Sequence, residues 1–279
     1  MKYLLIAILT VSSFANTIVG SRISNSKKWS SVTKHEKINI QILLTSLNKS
    51  KSGRAIVDLA KAKAQSYQKE LLDLISSGDT SLTDTTLYRK FDPSDPISIE
   101  YETKSLIKLN RNLSQYDALL DLAHELTHFI YRRDFNPYKL NFSLSDFIKD
   151  TIEGVGGEAE AFLSECRVQQ ELFSKSRGFR GNCKKVISKS TGEISRNLVV
   201  RSFYNVGNYF ESFDKVLHRY GIREHFPKVN GSKPKFVSSA YGIPYPVAAF
   251  EEYINVLGKV CENDRKRMGY FKRNKSGRF

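Results

Sequence analysis

Residues 121–130 place a His-Glu-x-x-His motif inside an apolar run that favours a helix. On a helix, His124 and His128 project from the same face, where two imidazoles can bind one metal ion. Glu125 lies about 100° further round the helix, so its carboxylate can reach the open side of such an ion without binding it. A general base that acts on a zinc-activated water molecule occupies this position. The segment therefore predicts a buried helix that carries a zinc site.

The sequence around the motif predicts a short sheet followed by a core helix. Residues 96–101 and 105–109 read as two short strands, because apolar or β-branched residues recur in both. Ser114 followed by Asp117 is a capping box that starts a helix over residues 115–132. The apolar residues of this helix form a wide arc typical of a core helix: Leu119, Leu120, Leu122, Ala123, Leu126, Phe129 and Ile130. The polar exceptions are the motif residues, for which a metal ion would supply partners.

With this motif on a helix that follows an edge strand, the chain resembles the zincin metallopeptidases. The resemblance covers residues 96–175 and implies an α+β fold, mostly helical, with a small antiparallel sheet preceding the active-site helix. It also implies hydrolysis of peptide bonds with Zn2+ held by His124 and His128, and with Glu125 as the catalytic base.

The third zinc ligand distinguishes the subfamilies of zincins. The metzincin pattern, a Gly and then a His soon after His128, is absent from this sequence. The gluzincin pattern, in which a downstream helix supplies a Glu, fits the glycine-rich turn and helix of residues 154–162. Glu158 and Glu160 are both candidates but point about 200° apart on a helix, so only one can face the metal. The small Ala161, one turn after Glu158, allows the two helices to approach closely and favours Glu158, with Glu160 as the alternative.

The supporting residues around the metal depart from the family pattern. In families like thermolysin's, an acidic residue four positions after the third ligand supports a ligand histidine, but Phe162 occupies that position after Glu158. Asp121 and Glu165 are the alternatives for this role. Many zincins also supply a His or Tyr that binds the developing oxyanion. The candidates for that role lie in the carboxy-terminal part, and their spacing selects none of them: His218, His225, Tyr241 and Tyr245.

The amino terminus has the features of a signal peptide. Lys2 supplies a positive charge, residues 4–11 are apolar but too short to span a bilayer, and residues 13–15 offer small side chains for cleavage. The sequence predicts a signal peptide of residues 1–15 with cleavage after Ala15, and hence a secreted or periplasmic protein. The later sequence has no apolar stretch of membrane-spanning length, so we expect no transmembrane segment.

Residues 16–279 are expected to form a single zincin-like metallopeptidase domain, with a helical carboxy-terminal extension from about residue 193. Two helices are predicted before the motif, over residues 38–47 and 54–75. Three cysteines follow the motif, and in an oxidising compartment one pair can form a disulfide. Cys166 and Cys183 enclose a basic loop, which makes them the favoured pair.

Net charge bears on the partners of the chain. It has 44 Lys and Arg residues against 29 acidic residues, a formal net charge of +15. This excess favours anionic partners such as cell-wall or envelope polymers or acidic protein substrates, although it can also serve solubility alone. The basic residues are not interleaved with aromatic ones, so we expect no specific nucleic-acid binding.

These features together predict an exported zinc-dependent metallopeptidase that acts on peptide or protein substrates. Two alternatives remain open. One is a zinc amidase or peptidoglycan-directed hydrolase, in which the same chemistry acts on cell-wall peptides. The other is a non-catalytic, basic envelope-binding protein that retains the motif, and the intact Glu125 argues against it.

Overall fold

The computed structural model describes residues 23–133, 135–139, 142–177, 179, 181–223 and 225–276, which are mainly helical with a small sheet. The predicted signal peptide lies outside these residues. The α-helices are α1 (Glu36–Leu47), α2 (Lys51–Ser66), α3 (Gln115–Tyr131), α4 (Leu144–Glu153), α5 (Glu158–Arg177), α6 (Arg196–Phe203), α7 (Phe210–Arg219) and α8 (Tyr245–Ser276). The strands are β1 (Ile75–Gly78), β2 (Leu82–Phe91), β3 (Ile99–Asn110), β4 (Asn205–Gly207) and β5 (Val229–Asn230). The described residues thus bear out the coarse expectation of a mostly helical chain with a small sheet.

The chain divides into two compact units. Of the described residues, the first unit contains those within 23–84, 106–131 and 160–195, and the second contains those within 85–105, 132–159 and 196–276. Helices α1, α2 and α3 and all but the first two residues of α5 belong to the first unit. Glu158 and Ala159, the first two residues of α5, belong to the second unit.

The core of the first unit is a layer of aliphatic side chains in which α3 packs against α1 and α2. Residues of α3 fill its centre, and their side chains are at most 1% exposed: Ala118, Leu119, Leu122, Ala123, Leu126 and Phe129. The end of α3 is also fixed, because the Lys63 ammonium donates a hydrogen bond to the carbonyl oxygen of Ile130 at 3.3 Å. Such a cation satisfies one of the last carbonyls of a helix. The predicted burial of α3 is confirmed for all but Ile130, which is partly exposed.

Within the first unit, helix α5 contacts α2 and α3 at one place each. The Glu171 carboxylate accepts hydrogen bonds from the Ser52 main-chain N–H at 2.8 Å and from the Ser52 hydroxyl at 2.6 Å. Ser52 lies in the first turn of α2, where a negative charge is favoured by the helix dipole. The rings of Tyr116 and Phe173 add a contact between α3 and α5, with centroids 4.7 Å apart. These contacts set the distance between the helix that carries the motif and the helix that begins at Glu158.

A disulfide joins Cys166 on α5 to Cys183, and both residues are fully buried in the first unit. The favoured pair is therefore confirmed. The third cysteine, Cys261, is a free thiol at the surface of α8.

The sheet differs from the expectation in two respects. Its order is β1-β3-β2, and β1 runs parallel to β3 with Ile75 opposite Ile107, so the prediction of a purely antiparallel sheet is wrong for this pair. The two strands expected at residues 96–101 and 105–109 are one strand, β3. No Gly, Pro or Asn stands between them, so nothing in residues 102–104 breaks the extended chain.

The helix expected over residues 54–75 ends at Ser66. Gln68 takes a left-handed conformation with φ of 56°, which terminates the helix. The chain then buries Leu71 and Ile75, and Ile75 begins β1. Pairing with β3 places this segment in a strand, a contact about thirty residues distant that local periodicity does not show.

The second unit has an aromatic core between α4 and α8. The Tyr253 hydroxyl on α8 donates a hydrogen bond to the carbonyl oxygen of Phe142 at 3.1 Å, and the two rings stack with centroids 4.7 Å apart. Phe203 on α6 contacts the rings of Phe236 and Tyr245, each at 4.8 Å. The helical region expected from about residue 193 thus contains α6, α7 and α8, together with the short parallel strands β4 and β5.

No helix in the described part of the chain is both long and apolar enough to span a membrane.

Candidate metal centre

Helix α3 begins at a side-chain cap that fixes its register. The Ser114 hydroxyl accepts a hydrogen bond from the Asp117 main-chain N–H at 3.1 Å and donates one to the Asp117 carboxylate at 2.7 Å. This capping interaction confirms the predicted start of the helix. With the apolar arc buried and both ends fixed, the faces that carry His124, Glu125 and His128 have a defined orientation.

The two histidines of the motif aim the same ring atom at each other. Their Nε2 atoms lie 3.1 Å apart, and their ring centroids are 4.8 Å apart. His128 is buried, and the His124 side chain is 15% exposed. Both imidazoles therefore direct Nε2 towards the same point.

Glu158 supplies the third atom of this group. One ligand atom from each of His124, His128 and Glu158 can be chosen so that all three lie within 4.8 Å of one another. Glu160, the alternative third ligand, does not belong to this group. The arrangement agrees with the helix argument, since the two carboxylates start from different faces of α5.

A glycine turn places Glu158 at the first position of α5. Gly154 ends α4 so tightly that a side-chain carbon there would lie 2.5 Å from the carbonyl oxygen of Asp150. Gly156 has φ of 72°, a conformation that residues with side chains rarely adopt. The turn therefore requires glycines, and it lets α5 start immediately after α4.

The Glu165 carboxylate lies next to Nδ1 of His124, the ring nitrogen that does not face His128. Its Oε2 atom lies 3.5 Å from the Nδ1 atom of His124, and the Glu165 side chain is 19% exposed. A proton on Nδ1 that faces this carboxylate leaves the lone pair of His124 on Nε2, the atom that faces His128. Of the two alternatives for this role, Asp121 and Glu165, the structure places Glu165 at Nδ1.

Asp121, the other candidate for this role, is a buried carboxyl group whose pKa is raised. Burial raises the pKa of the Asp121 carboxyl to about 7, and the negative charge of Glu165 acts in the same direction. A hydrogen bond from Ser81 opposes this shift only in part. Asp121 therefore retains a proton up to near-neutral pH.

The Glu125 carboxylate is held by a residue that the sequence did not single out. Glu125 is 6% exposed, and the Thr83 hydroxyl lies 2.8 Å from both its Oε2 atom and its main-chain oxygen. Thr83 is the second residue of β2, the strand at one edge of the sheet. The sequence analysis did not predict this strand, although the threonine-rich alternation at residues 82–91, bounded by Gly78 and Pro93, could have indicated it.

The donor set fits zinc. With Zn–N distances of about 2.0–2.1 Å, two tetrahedral imidazole ligands would have nitrogen atoms about 3.3 Å apart, and the Nε2 atoms lie 3.1 Å apart. Two His and one carboxylate are also the ligands of a catalytic zinc site with a position open to water. The group of His124, His128 and Glu158 could therefore hold a metal ion.

Other side chains considered from the sequence do not belong to the group of His124, His128 and Glu158. Cys166 and Cys183 are joined to each other, so neither thiol can bind a metal while the disulfide is intact. The candidates for oxyanion binding belong to the second unit, where His218, His225 and Tyr241 are solvent-exposed and Tyr245 is partly exposed.

Comparison of the chain with protein-family models, with curated proteins and with solved structures gave no match.

Proposed function

We propose that the chain is an exported, zinc-dependent metallopeptidase of gluzincin type. The observation that carries the proposal is the convergence of the His124 and His128 Nε2 atoms with the Glu158 carboxylate, next to a buried Glu125. Two features beyond the motif support it. Glu165 stands at Nδ1 of His124, and Thr83 stands at the Glu125 carboxylate, so both a ligand and the base have an orienting partner.

Each residue then has a defined task. His124, His128 and Glu158 would hold Zn2+, which when bound makes water more acidic and polarises the scissile carbonyl. Glu125 accepts a proton from the attacking water on its carboxylate and passes it to the leaving amine. Thr83 keeps one oxygen of that carboxylate fixed, so that the other can take the proton. No residue of the chain needs to form a covalent bond with the substrate.

Digestion of an unbiased peptide library tests this proposal. The purified protein should cleave internal peptide bonds, a metal chelator should abolish the cleavage, and added Zn2+ should restore it. Purified cell wall in parallel separates a general peptidase from the peptidoglycan-directed alternative, because only the latter would leave the library intact while releasing wall peptides. A zinc-loaded protein that cleaves neither substrate would contradict an enzymatic role.

Thr83→Val should lower kcat for a cleaved peptide by about tenfold or more, since a hydrogen bond to a charged group contributes about 1.5–3 kcal/mol. Valine keeps the branched shape of the side chain in β2 but cannot donate to Glu125. Zinc affinity should stay unchanged, because Thr83 contacts the base and none of the three ligands. Steady-state kinetics and a zinc-competition titration on the same preparation measure both quantities.

Thr83→Ser is the matched control, because serine retains the hydroxyl and loses one methyl group. It should keep kcat within a few-fold of the parent. If the valine and serine variants lose activity equally, packing of β2 explains the effect, and the positioning role of the Thr83 hydroxyl is wrong.

Export is part of the proposal. The buried disulfide between Cys166 and Cys183 supports it, because disulfides persist mainly in oxidising compartments. We expect the protein recovered outside the cytoplasm to begin at Asn16, as amino-terminal sequencing would show. Removal of residues 1–15 removes one Lys and no acidic residue, so the mature chain remains strongly basic.

Such a protein should bind anionic envelope or wall polymers, and raised salt should release it as the charges are screened over a Debye length of about 8 Å. Fractionation at low and high salt measures this binding. An uncleaved cytosolic protein would contradict export, and binding that salt does not weaken would contradict an electrostatic cause.

A further inference from the structure

A buried tyrosine of the second unit holds the last residue of α4. Tyr204 is 2% exposed, and its hydroxyl donates a hydrogen bond to the Glu153 carboxylate at 2.6 Å. This length is typical of a hydroxyl that binds a charged oxygen. Burial raises the pKa of Tyr204, and the Glu153 carboxylate acts in the same direction. The hydroxyl therefore keeps its proton and remains a donor to Glu153.

The main chain of Tyr204 is itself fixed on both sides. Its N–H donates a hydrogen bond to the Val200 carbonyl oxygen in α6 at 3.1 Å, and its carbonyl oxygen accepts one from the Val229 N–H in β5 at 2.8 Å. A buried ring on a backbone held in this way has little freedom to move. The Tyr204 hydroxyl can thus fix the place at which α4 ends.

The glycine turn between α4 and α5 rests on the last turn of α4. The Gly154 N–H donates a hydrogen bond to the Asp150 carbonyl oxygen at 3.1 Å, and the Gly157 N–H donates one to the Gly154 carbonyl oxygen at 2.8 Å. A side-chain carbon at Gly157 would lie 2.9 Å from the Asp150 carbonyl oxygen, so Gly157 packs directly on the helix. Glu158 is the next residue, and the position of its main chain therefore follows the end of α4.

We propose that Tyr204 is a positioning residue for zinc binding, which acts through Glu153 and the glycine turn to fix the main chain of Glu158. The inference rests on the proposed function, because it takes Glu158 as the third ligand. A site functions well only when its side chains are held within about 0.5 Å of their working positions. Residues that support a metal ligand contribute about 10- to 100-fold to metal affinity.

Tyr204→Phe should weaken zinc binding by about tenfold, the lower end of the range for a supporting residue. Phenylalanine fills the same buried space but cannot donate to Glu153. Tyr253→Phe is the matched control, because it makes the same change at the other end of α4, where the Tyr253 hydroxyl binds the Phe142 carbonyl oxygen at 3.1 Å. The control should bind zinc within about twofold of the parent. A zinc-competition titration of the full chain measures these affinities.

A spectroscopic readout separates positioning of the ligand from a loss of stability. The visible spectrum of Co2+ bound in place of zinc depends on the ligands and their geometry. It should change in Tyr204→Phe and remain that of the parent in Tyr253→Phe. Thermal unfolding of the two metal-free variants shows whether both lose similar stability. Equal zinc affinities and unchanged cobalt spectra in the two variants would overturn the role of Tyr204.

Glu153→Gln tests the intermediate step, because its amide oxygen can still accept the hydrogen bond from Tyr204. It should bind zinc within a few-fold of the parent. A loss as large as that in Glu158→Ala would show that Glu153 binds the metal itself, and the inference would be wrong while a zinc site remained. If the parent binds no zinc at all, the proposed function fails and the inference fails with it.

Discussion

Replacing Glu125 by Gln is expected to lower kcat/KM for a cleaved peptide by about 10²- to 10⁴-fold, the contribution of a general base. The amide keeps the shape of the side chain and can still contact Thr83, but it cannot accept the proton of water. Zinc content should be unchanged, because Glu125 does not belong to the group of three ligand atoms. Kinetics on a peptide substrate, with elemental analysis of the same sample, measure both effects.

Glu160→Gln is the matched control for this prediction, since it makes the same chemical change on a carboxylate outside the metal group. It should retain near-parental activity. His124→Ala supplies the opposite reference, because it removes a ligand and should lose both metal and activity. Metal loss in Glu125→Gln as large as that in His124→Ala would show that Glu125 binds the metal and would contradict its role as a base.

Glu158→Ala should weaken zinc binding by more than about 100-fold. Removing a residue that only supports a ligand already costs about 10- to 100-fold, and a direct ligand should exceed that range. Glu160→Ala should stay within a few-fold of the parent, because its carboxylate lies outside the group of His124, His128 and Glu158. Competition with a chromophoric zinc chelator gives both dissociation constants.

The reverse ranking of these two variants would mean that α5 is rotated from the observed arrangement and that Glu160 faces the metal. Small, equal effects would mean that the third ligand is another acidic residue, such as Glu153 or Glu165. Either result would leave His124 and His128 as ligands and change only the assignment of the third.

The parts of the site that lie on helices with clear local sequence signals could be predicted. Helix α3 has a capping serine, an apolar arc and a motif whose spacing depends only on helix geometry, and it begins and ends within one residue of the expected positions. The start of α5 could be predicted for a similar reason, because the glycines at 154–157 must interrupt the helix. In both cases the deciding interactions are local.

The parts that depend on distant contacts could not be predicted in this way. Thr83 reaches Glu125 across 42 residues, and nothing in its own neighbourhood indicates a partner. Strand β1 exists because Ile75 pairs with Ile107, although the same residues read as the end of a helix. The sequence left Asp121 and Glu165 as alternatives for the carboxylate beside His124, and only the position of α5 distinguishes them. The choice required the helix docking through Glu171 and Phe173, which the sequence does not reveal.

The most direct test of the central claim is a zinc titration of the metal-free protein, with hydrolysis of a cleavable peptide measured at each addition. The account predicts no hydrolysis without metal, a linear rise as zinc is added, and a plateau at about one zinc ion per chain, as expected for one site of two His and one carboxylate. Full hydrolysis by the metal-free protein, or none at one equivalent of bound zinc, would contradict it.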